Sequence, residues 1–254
     1  MAVHTPTPDL SLPDLLVIGA MKCATTALHA YLDAHPDIAM WSGKEANFFT
    51  GGTAAPPVDP EEWWRHGQWH RGVQWYATLF DPTAKLRGES SPGYTAPDNP
   101  LAAVRMAGVV PHARLLYLVR DPLERAVSQY AHHVREGDET RPVSDALLDP
   151  DSQYVARSRY AERLRPFLDH FPREQVLVVV QERLRDQRRA ELGRVYAHVG
   201  ADADWWDDAL LEEWHVGGSR TEVPAEVAAE FRARVADDME QLQQLLDDDI
   251  PEWG

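Results

Sequence analysis

Four consecutive apolar residues, Leu15-Leu16-Val17-Ile18, end at Gly19, and six residues later Thr25-Thr26 opens a segment of helical periodicity. No other stretch constrains the fold as tightly. The apolar run does not alternate with polar residues, so it predicts a strand buried on both faces, as in a parallel sheet covered by helices. Over residues 25–34, Ala27, Leu28, Tyr31 and Leu32 recur at helical spacing, and His35-Pro36 stops the helix. Strand, tight loop and helix in this order make a βα unit.

Further strands are predicted over residues 37–40, 85–89, 114–119 and 176–180, the last almost entirely valine. Helices are predicted over 100–110, from Pro122 to about His133, over 154–171 with an interruption at Pro166, over 191–199 and over 224–246. Pro122 suits a helix start, where its missing N–H costs nothing. Residues 51–60 and 137–150 read as loops. A Trp-dense stretch holding Trp63, Trp64, Trp69 and Trp75 fits an acceptor cleft and lid packing equally well. Strands alternating with helices predict an α/β fold: a P-loop-like, central, mostly parallel β-sheet flanked by helices. The domain reading is a flexible tail over 1–13 and a single domain over 14–254.

The net charge of −16 opposes general binding to nucleic acid or anionic membrane, yet permits a local basic site. No apolar run approaches the roughly 18 residues of a membrane span. The lone cysteine, Cys23, excludes an intrachain disulfide and a Cys-rich zinc site. A cytoplasmic protein with no integral membrane contact is therefore expected, and the wealth of Ala, Arg and Asp points to a bacterial source. Adjacent His132 and His133 point to different helix faces and make a poor metal pair.

Between the first strand and first helix lies Ile18-Gly19-Ala20-Met21-Lys22-Cys23-Ala24-Thr25-Thr26. Free amides at a helix start favour a bound phosphate. Lys22 adds a charge, Thr25 and Thr26 add hydroxyls, and the small Cys23 and Ala24 allow close backbone approach. The string departs from G-x-x-x-x-G-K-[ST], because Lys22 precedes Thr25 by three and no second glycine follows. It also fits a plain βα turn with an exposed lysine and a threonine N-cap.

Read as Gly-x-x-Lys-x-x-Thr-Thr, the loop resembles the 5′-phosphosulfate loop of sulfotransferases, in the branch that includes heparan sulfate N- and 3-O-sulfotransferases and bacterial relatives. Lys44-Glu45-Ala46-Asn47-Phe48-Phe49 is similar to the family's K-E-x-x-F-F, and Gln74-Trp75-Tyr76 through Phe80 to its W-Y…F stretch. Glu89-Ser90-Ser91-Pro92-Gly93-Tyr94 resembles E-x-[ST]-P-x-Y. Arg120-Asp121-Pro122 with Arg125, Ala126, Ser128 and Tyr130 resembles R-[DN]-P-x-x-R-A-x-S-x-Y, and residues 171–184 resemble the late strand and its E-x-L. Met21 and Ala24 stand where proline and glycine are common. Asn47 and Ser90 replace a histidine and a lysine of some glycan enzymes.

The resemblance implies a sulfotransferase that uses 3′-phosphoadenosine-5′-phosphosulfate (PAPS), releases adenosine 3′,5′-bisphosphate (PAP) and requires no metal. It implies Lys22 and Glu45 as catalytic residues, Glu45 being the general base beside an apolar Phe48-Phe49 wall. Donor contacts fall to Lys22, Cys23, Ala24, Thr25 and Thr26 at one end and to Arg120 and Ser128 at the 3′-phosphate. Gly218, Ser219 and Arg220 are the candidate C-terminal clamp. Arg125 reads as a helix-surface charge, and Cys23 as loop packing whose thiol a helix N-terminus would acidify. The acceptor is expected to be a small molecule, glycan or glycolipid, with no nucleic acid partner. Its identity, O- against N-sulfation and oligomeric state are not legible. The rival functions are a P-loop small-molecule kinase and a non-catalytic nucleotide-binding protein.

Overall fold

The computed structural model describes residues 10–211 and 221–253. Its strands are Leu15–Gly19 (β1), Ile38–Met40 (β2), Leu86–Ser90 (β3), Arg114–Val119 (β4) and Val176–Val180 (β5), in the sheet order β2-β3-β1-β4-β5. Every neighbouring pair is parallel, so the expected mostly parallel sheet is wholly parallel among the described residues. β1 lies in the middle because Leu15 to Ile18 can all be buried at once, and each is fully excluded from solvent. Burying such a side chain stabilises by about 1.5–3 kcal/mol. Leu12 packs against the core and Pro13 is buried, while residues 1–9 lie outside the described part.

Helices cover the sheet and build a second apolar layer. In chain order they are Thr25–Ala34 (α1), Trp63–His66 (α2), Gly72–Ala77 (α3), Ala102–Val109 (α4), Pro122–Glu136 (α5), Val143–Leu148 (α6), Gln153–Ala156 (α7), Tyr160–Leu168 (α8), Gln181–Asp186 (α9), Arg188–Val199 (α10) and Ala225–Leu246 (α11). α6 lies where a loop is predicted. Its six residues are too few to display a period, yet Ala146 and Leu147 are fully buried in a cluster with Phe231 and Val235 of α11. The predicted 154–171 helix is two helices. It breaks around Ser158, whose buried hydroxyl donates to Pro122 O (3.1 Å), while α8 runs on through Pro166.

The same junction corrects the reading of Arg125. Its side chain is fully buried between α5 and α7. Nε donates to Ser158 Oγ (2.8 Å), Nη1 to Gln129 Oε1 (2.6 Å) and Nη2 to the Tyr154 carbonyl (2.7 Å). Arg125 and Gln129 are four residues apart on the helix face turned to α7, whereas a surface charge would need the opposite face. Arg125→Ala leaves these acceptors unpaired around a void. It is expected to destabilise the fold by about 3 kcal/mol or more in urea unfolding. A loss below about 1 kcal/mol would contradict the buried role.

Candidate active site

Open parallel sheets bind ligands at the carboxyl ends of their strands, where the chain leaves in opposite directions. Here that point lies between β1, whose connection runs toward β2, and β4, whose connection runs toward β5. The two strands end together, and Ala20 N–H donates to Leu118 O (2.7 Å) across them. The loop then turns through Lys22 (φ 69°) and Ala24 (φ 64°), both left-handed. Ala24, rather than a threonine, caps α1, and it supplies no side-chain hydrogen bond. The first amides of α1 are therefore left for another acceptor. α5 differs: Asp121 Oδ1 accepts from Glu124 N–H (2.8 Å) and Pro122 stands at its first position.

Lys22 is half-buried, not exposed. Burial above all, then the cations Arg135, Lys44 and Arg120, hold its ammonium below the usual lysine range, and Glu45 works in the opposite direction. Arg120 sits one residue past β4, where its guanidinium donates to Glu124 Oε2 (2.7 Å) and its carbonyl accepts from Tyr160 Oη (2.8 Å). Ser128, His132 and Arg135 follow at helical spacing on α5. The His132 imidazole is held low by burial, Lys22 and Arg135, and Arg135 Nη2 lies 2.8 Å from its Nδ1. The sequence-predicted Lys22, Thr25, Thr26 and Arg120 thus lie at the ends of β1 and β4, and Ser128 lies further along α5. Lys44, His132 and Arg135, which the sequence reading did not assign, stand in the electrostatic neighbourhood of Lys22.

Glu45 reaches this edge on a bent segment. Lys44 (φ 43°), Glu45 (φ 62°) and Asn47 (φ 45°) are all left-handed, a conformation that persists only when surroundings enforce it. Lys44 Nζ donates to Thr26 Oγ1 (2.7 Å) and to Glu45 Oε1 (3.3 Å). Glu45 N–H donates to Ser90 O (2.9 Å) at the end of β3. Beneath them lies Glu89, fully buried. Its carboxylate accepts from Tyr76 Oη (2.8 Å), Ser91 Oγ (2.6 Å) and Tyr94 Oη. Ser91 Oγ in turn accepts from Asn47 N–H (3.0 Å), and Tyr94 Oη from Phe48 N–H (3.1 Å). Burial pushes the Glu89 carboxyl up, against the three hydroxyl donors that favour its charged form. Glu89 opens a matched motif, but only the fold reveals that it holds the Glu45 segment.

Other expectations fall away or are refined. Phe48 and Phe49 are fully buried with Tyr76, so they pack the core below Glu45. Of the tryptophans, Trp69 and Trp75 pack on Phe48, each under an arginine (Arg105 and Arg71), and Trp63 meets His70. Trp64 is exposed, and its carbonyl accepts from Asn47 Nδ2 (2.9 Å). Gly218, Ser219 and Arg220 lie outside the described residues. Among the described residues no group of three or more His, Cys, Asp or Glu could hold a metal ion, and no helix is long and apolar enough to cross a membrane.

An uncapped helix at the switch point of a parallel sheet, crowded by cations, is an arrangement suited to an anion in an α/β protein. The comparisons narrow the class. Residues 13–208 match the model of the sulfotransferase family, and the chain belongs to that family. It is 30% identical over 199 residues to mouse heparan sulfate glucosamine 3-O-sulfotransferase 3B1, covering 74% of this chain and 46% of that protein. It is 29% identical over 191 residues to the bifunctional heparan sulfate N-deacetylase/N-sulfotransferase 1 of Caenorhabditis elegans, covering 69% and 20% respectively. The chain thus spans less than half of either relative. The crystal structure of a sulfotransferase from Alicyclobacillus acidocaldarius superposes with a TM-score of 0.79 at 28% identity, over 95% of this chain and 98% of that one.

Cys23 departs from expectation. It is fully buried against Tyr160 Oη (3.6 Å), and burial pushes its thiol up to about 11, outweighing any acidifying effect of the helix start. At pH 8 about one molecule in a thousand carries the thiolate. Iodoacetamide at that pH is expected to leave the native protein unlabelled and to label one equivalent after denaturation. Rapid native labelling would show an exposed, acidified thiol instead.

Proposed function

We propose that the chain transfers a sulfuryl group from PAPS to a hydroxyl or amine of an acceptor. The observation that carries this reading is the crowding of Lys22, Lys44, Arg120 and Arg135 in a protein of net charge −16. Cations that repel one another gain most when a multivalent anion arrives, and a nucleotide phosphorylated at both ends of its ribose fits the two strand ends. The α1 amides, Lys22 and the loop residues Cys23 to Thr26 take the 5′-phosphate. Thr26 Oγ1 accepts from Lys44 and keeps its own hydrogen to donate. Arg120 and Ser128 take the 3′-phosphate. Arg120 has donors to spare beyond its bond to Glu124.

In the transfer the acceptor oxygen or nitrogen forms a bond to sulfur while the bond from sulfur to the phosphate oxygen breaks. Glu45 receives the acceptor's proton, and Lys22 stabilises the charge that gathers on the departing phosphate oxygen. PAP and the sulfated acceptor leave. The names of the heparan sulfate relatives favour a sugar acceptor. A kinase reading fits less well: Asp121, which would have to serve a metal, caps α5 and pairs with Arg232 (3.4 Å).

The donor assignment is tested by thermal shift. PAP at about a hundred times its Kd adds about 2.7 kcal/mol and raises Tm without magnesium. Stabilisation by ATP with magnesium and none by PAP would support a kinase. Arg120→Ala and Ser128→Ala are each expected to weaken PAP about tenfold or more, the loss of a hydrogen bond to a charged group. Glu45→Gln is expected to keep PAP affinity and to lower kcat by about 10²–10⁴. Retention of full turnover in that variant removes Glu45 as the base, and absence of turnover in the unaltered chain across a broad acceptor panel favours a non-catalytic nucleotide binder.

A further inference from the structure

His29 belongs to none of the matched family motifs, yet it follows Thr26 by three residues on the same face of α1. Its side chain is half-buried, and Nδ1 stands 2.9 Å from Ser90 Oγ at the end of β3. Ser90 is fully buried, and among the described residues His29 is the one partner of its hydroxyl. That fixes the direction of the bond. An imidazole donating from Nδ1 would leave the Ser90 hydrogen buried without an acceptor, and an orphaned buried donor costs more than a made bond returns. The hydroxyl therefore donates, Nδ1 accepts, and the ring is neutral with its proton on Nε2.

The pair matters for what else is tied to Ser90. Its carbonyl accepts from Glu45 N–H (2.9 Å), while Lys44 Nζ reaches from Thr26 Oγ1 (2.7 Å) to Glu45 Oε1 (3.3 Å). One face of α1 thus grips the bent segment twice. Thr26 acts through Lys44 on the Glu45 carboxylate, and His29 acts through Ser90 on the Glu45 amide. The second grip needs a neutral ring, because a protonated Nδ1 cannot accept. Burial above all, and Lys44 from the 44–49 segment, oppose the imidazolium; Asp33, one turn further along α1, favours it; from β3 the ring meets the Ser90 hydroxyl. The grip is therefore present at neutral pH and is lost as pH falls through a range below that of an ordinary histidine. We propose that His29 is a positioning residue for Glu45: its neutral ring, by accepting from Ser90, fixes the carbonyl that holds the Glu45 amide, and its protonation releases that hold. The inference rests on the sulfotransferase reading, in which Glu45 is the base, and adds a second proton to the acid limb of that reaction.

Two readouts on the full chain test it. Nitrogen-15 NMR of histidine-labelled protein, with the His29 signals assigned by their loss in His29→Asn, is expected to show the Nε2–H tautomer and a titration below the ordinary histidine range. An Nδ1–H tautomer, or a ring charged at neutral pH, overturns the inference. Turnover is read with PAPS and 4-nitrophenyl β-D-glucoside. His29→Leu and Ser90→Ala are each expected to lower kcat about ten- to a hundredfold at neutral pH with PAP affinity unchanged, as misalignment at the base requires. His29→Asn places an amide oxygen near the Nδ1 position. It is expected to recover most of that loss, while the acid limb of its kcat profile flattens from two protons to one. Full kcat in His29→Leu, or an acid limb unchanged in His29→Asn, overturns the inference. Loss of PAP affinity in His29→Leu does so too and gives the residue to the donor end of α1. If the unaltered chain does not turn the glucoside over, that failure belongs to the transfer reading, and the tautomer decides the inference on its own.

Discussion

The proposed chemistry depends on one constraint, the half-buried Lys22 ammonium held at the strand ends in the field of Arg135, Lys44 and Arg120. Lys22, Lys44, Arg120 and Arg135 come from the β1 loop, the 44–49 segment, the end of β4 and the far turn of α5, so no single element could disperse them. Among the described residues Glu45 pairs with Lys44, Glu124 with Arg120 and Glu136 with Arg135. Lys22 feels the field of these cations, with Glu45 the carboxylate that works against them. Charges of one sign gathered in a half-buried place focus their field, and they do so here in a protein of net charge −16.

Holding the cluster requires a rigid floor, which Glu89 provides. A carboxylate excluded from water costs several kcal/mol unless its lone pairs are filled. Tyr76, Ser91 and Tyr94 fill them, and two of these hydroxyls pass the constraint upward to the amides of Asn47 and Phe48. Left-handed backbone at three non-glycine residues is thereby kept in place, and the Glu45 carboxylate arrives next to Lys44 with little freedom of its own. Glu89 thus holds the Glu45 segment through the Ser91 and Tyr94 hydroxyls and remains sealed from solvent.

What the sequence made legible follows from how local each signal is. β1, the start of α1, β4 and the Pro122 start of α5 are each written in a few adjacent residues, and the order of these pieces suffices to name an α/β fold. Arg120 and Ser128 follow from one motif that runs from the end of β4 into α5. The failures are all relations across the chain. α6 shows its apolar face only against α11. Arg125 looks like a surface charge until α7 covers it, and Cys23 looks reactive until Tyr160 closes over it.

Two helix starts face the same cleft and are built in opposite ways, and the contrast explains the departures from the common motif. α5 satisfies itself: Asp121 caps it, Pro122 removes a donor that would need a partner, and Arg120 then offers charge from a side chain. α1 is left unfinished. Ala24 cannot cap, and its left-handed backbone costs an alanine about 1–2 kcal/mol where glycine would have gone without strain. The chain keeps that strain and those free amides together at the one point where Lys22 also loses solvation. An anion bound there relieves the unpaired amides and the desolvated ammonium at once. Under the proposed donor reading the cost of alanine at this turn is offset when the anion binds, while the self-capped α5 needs no ligand to be complete.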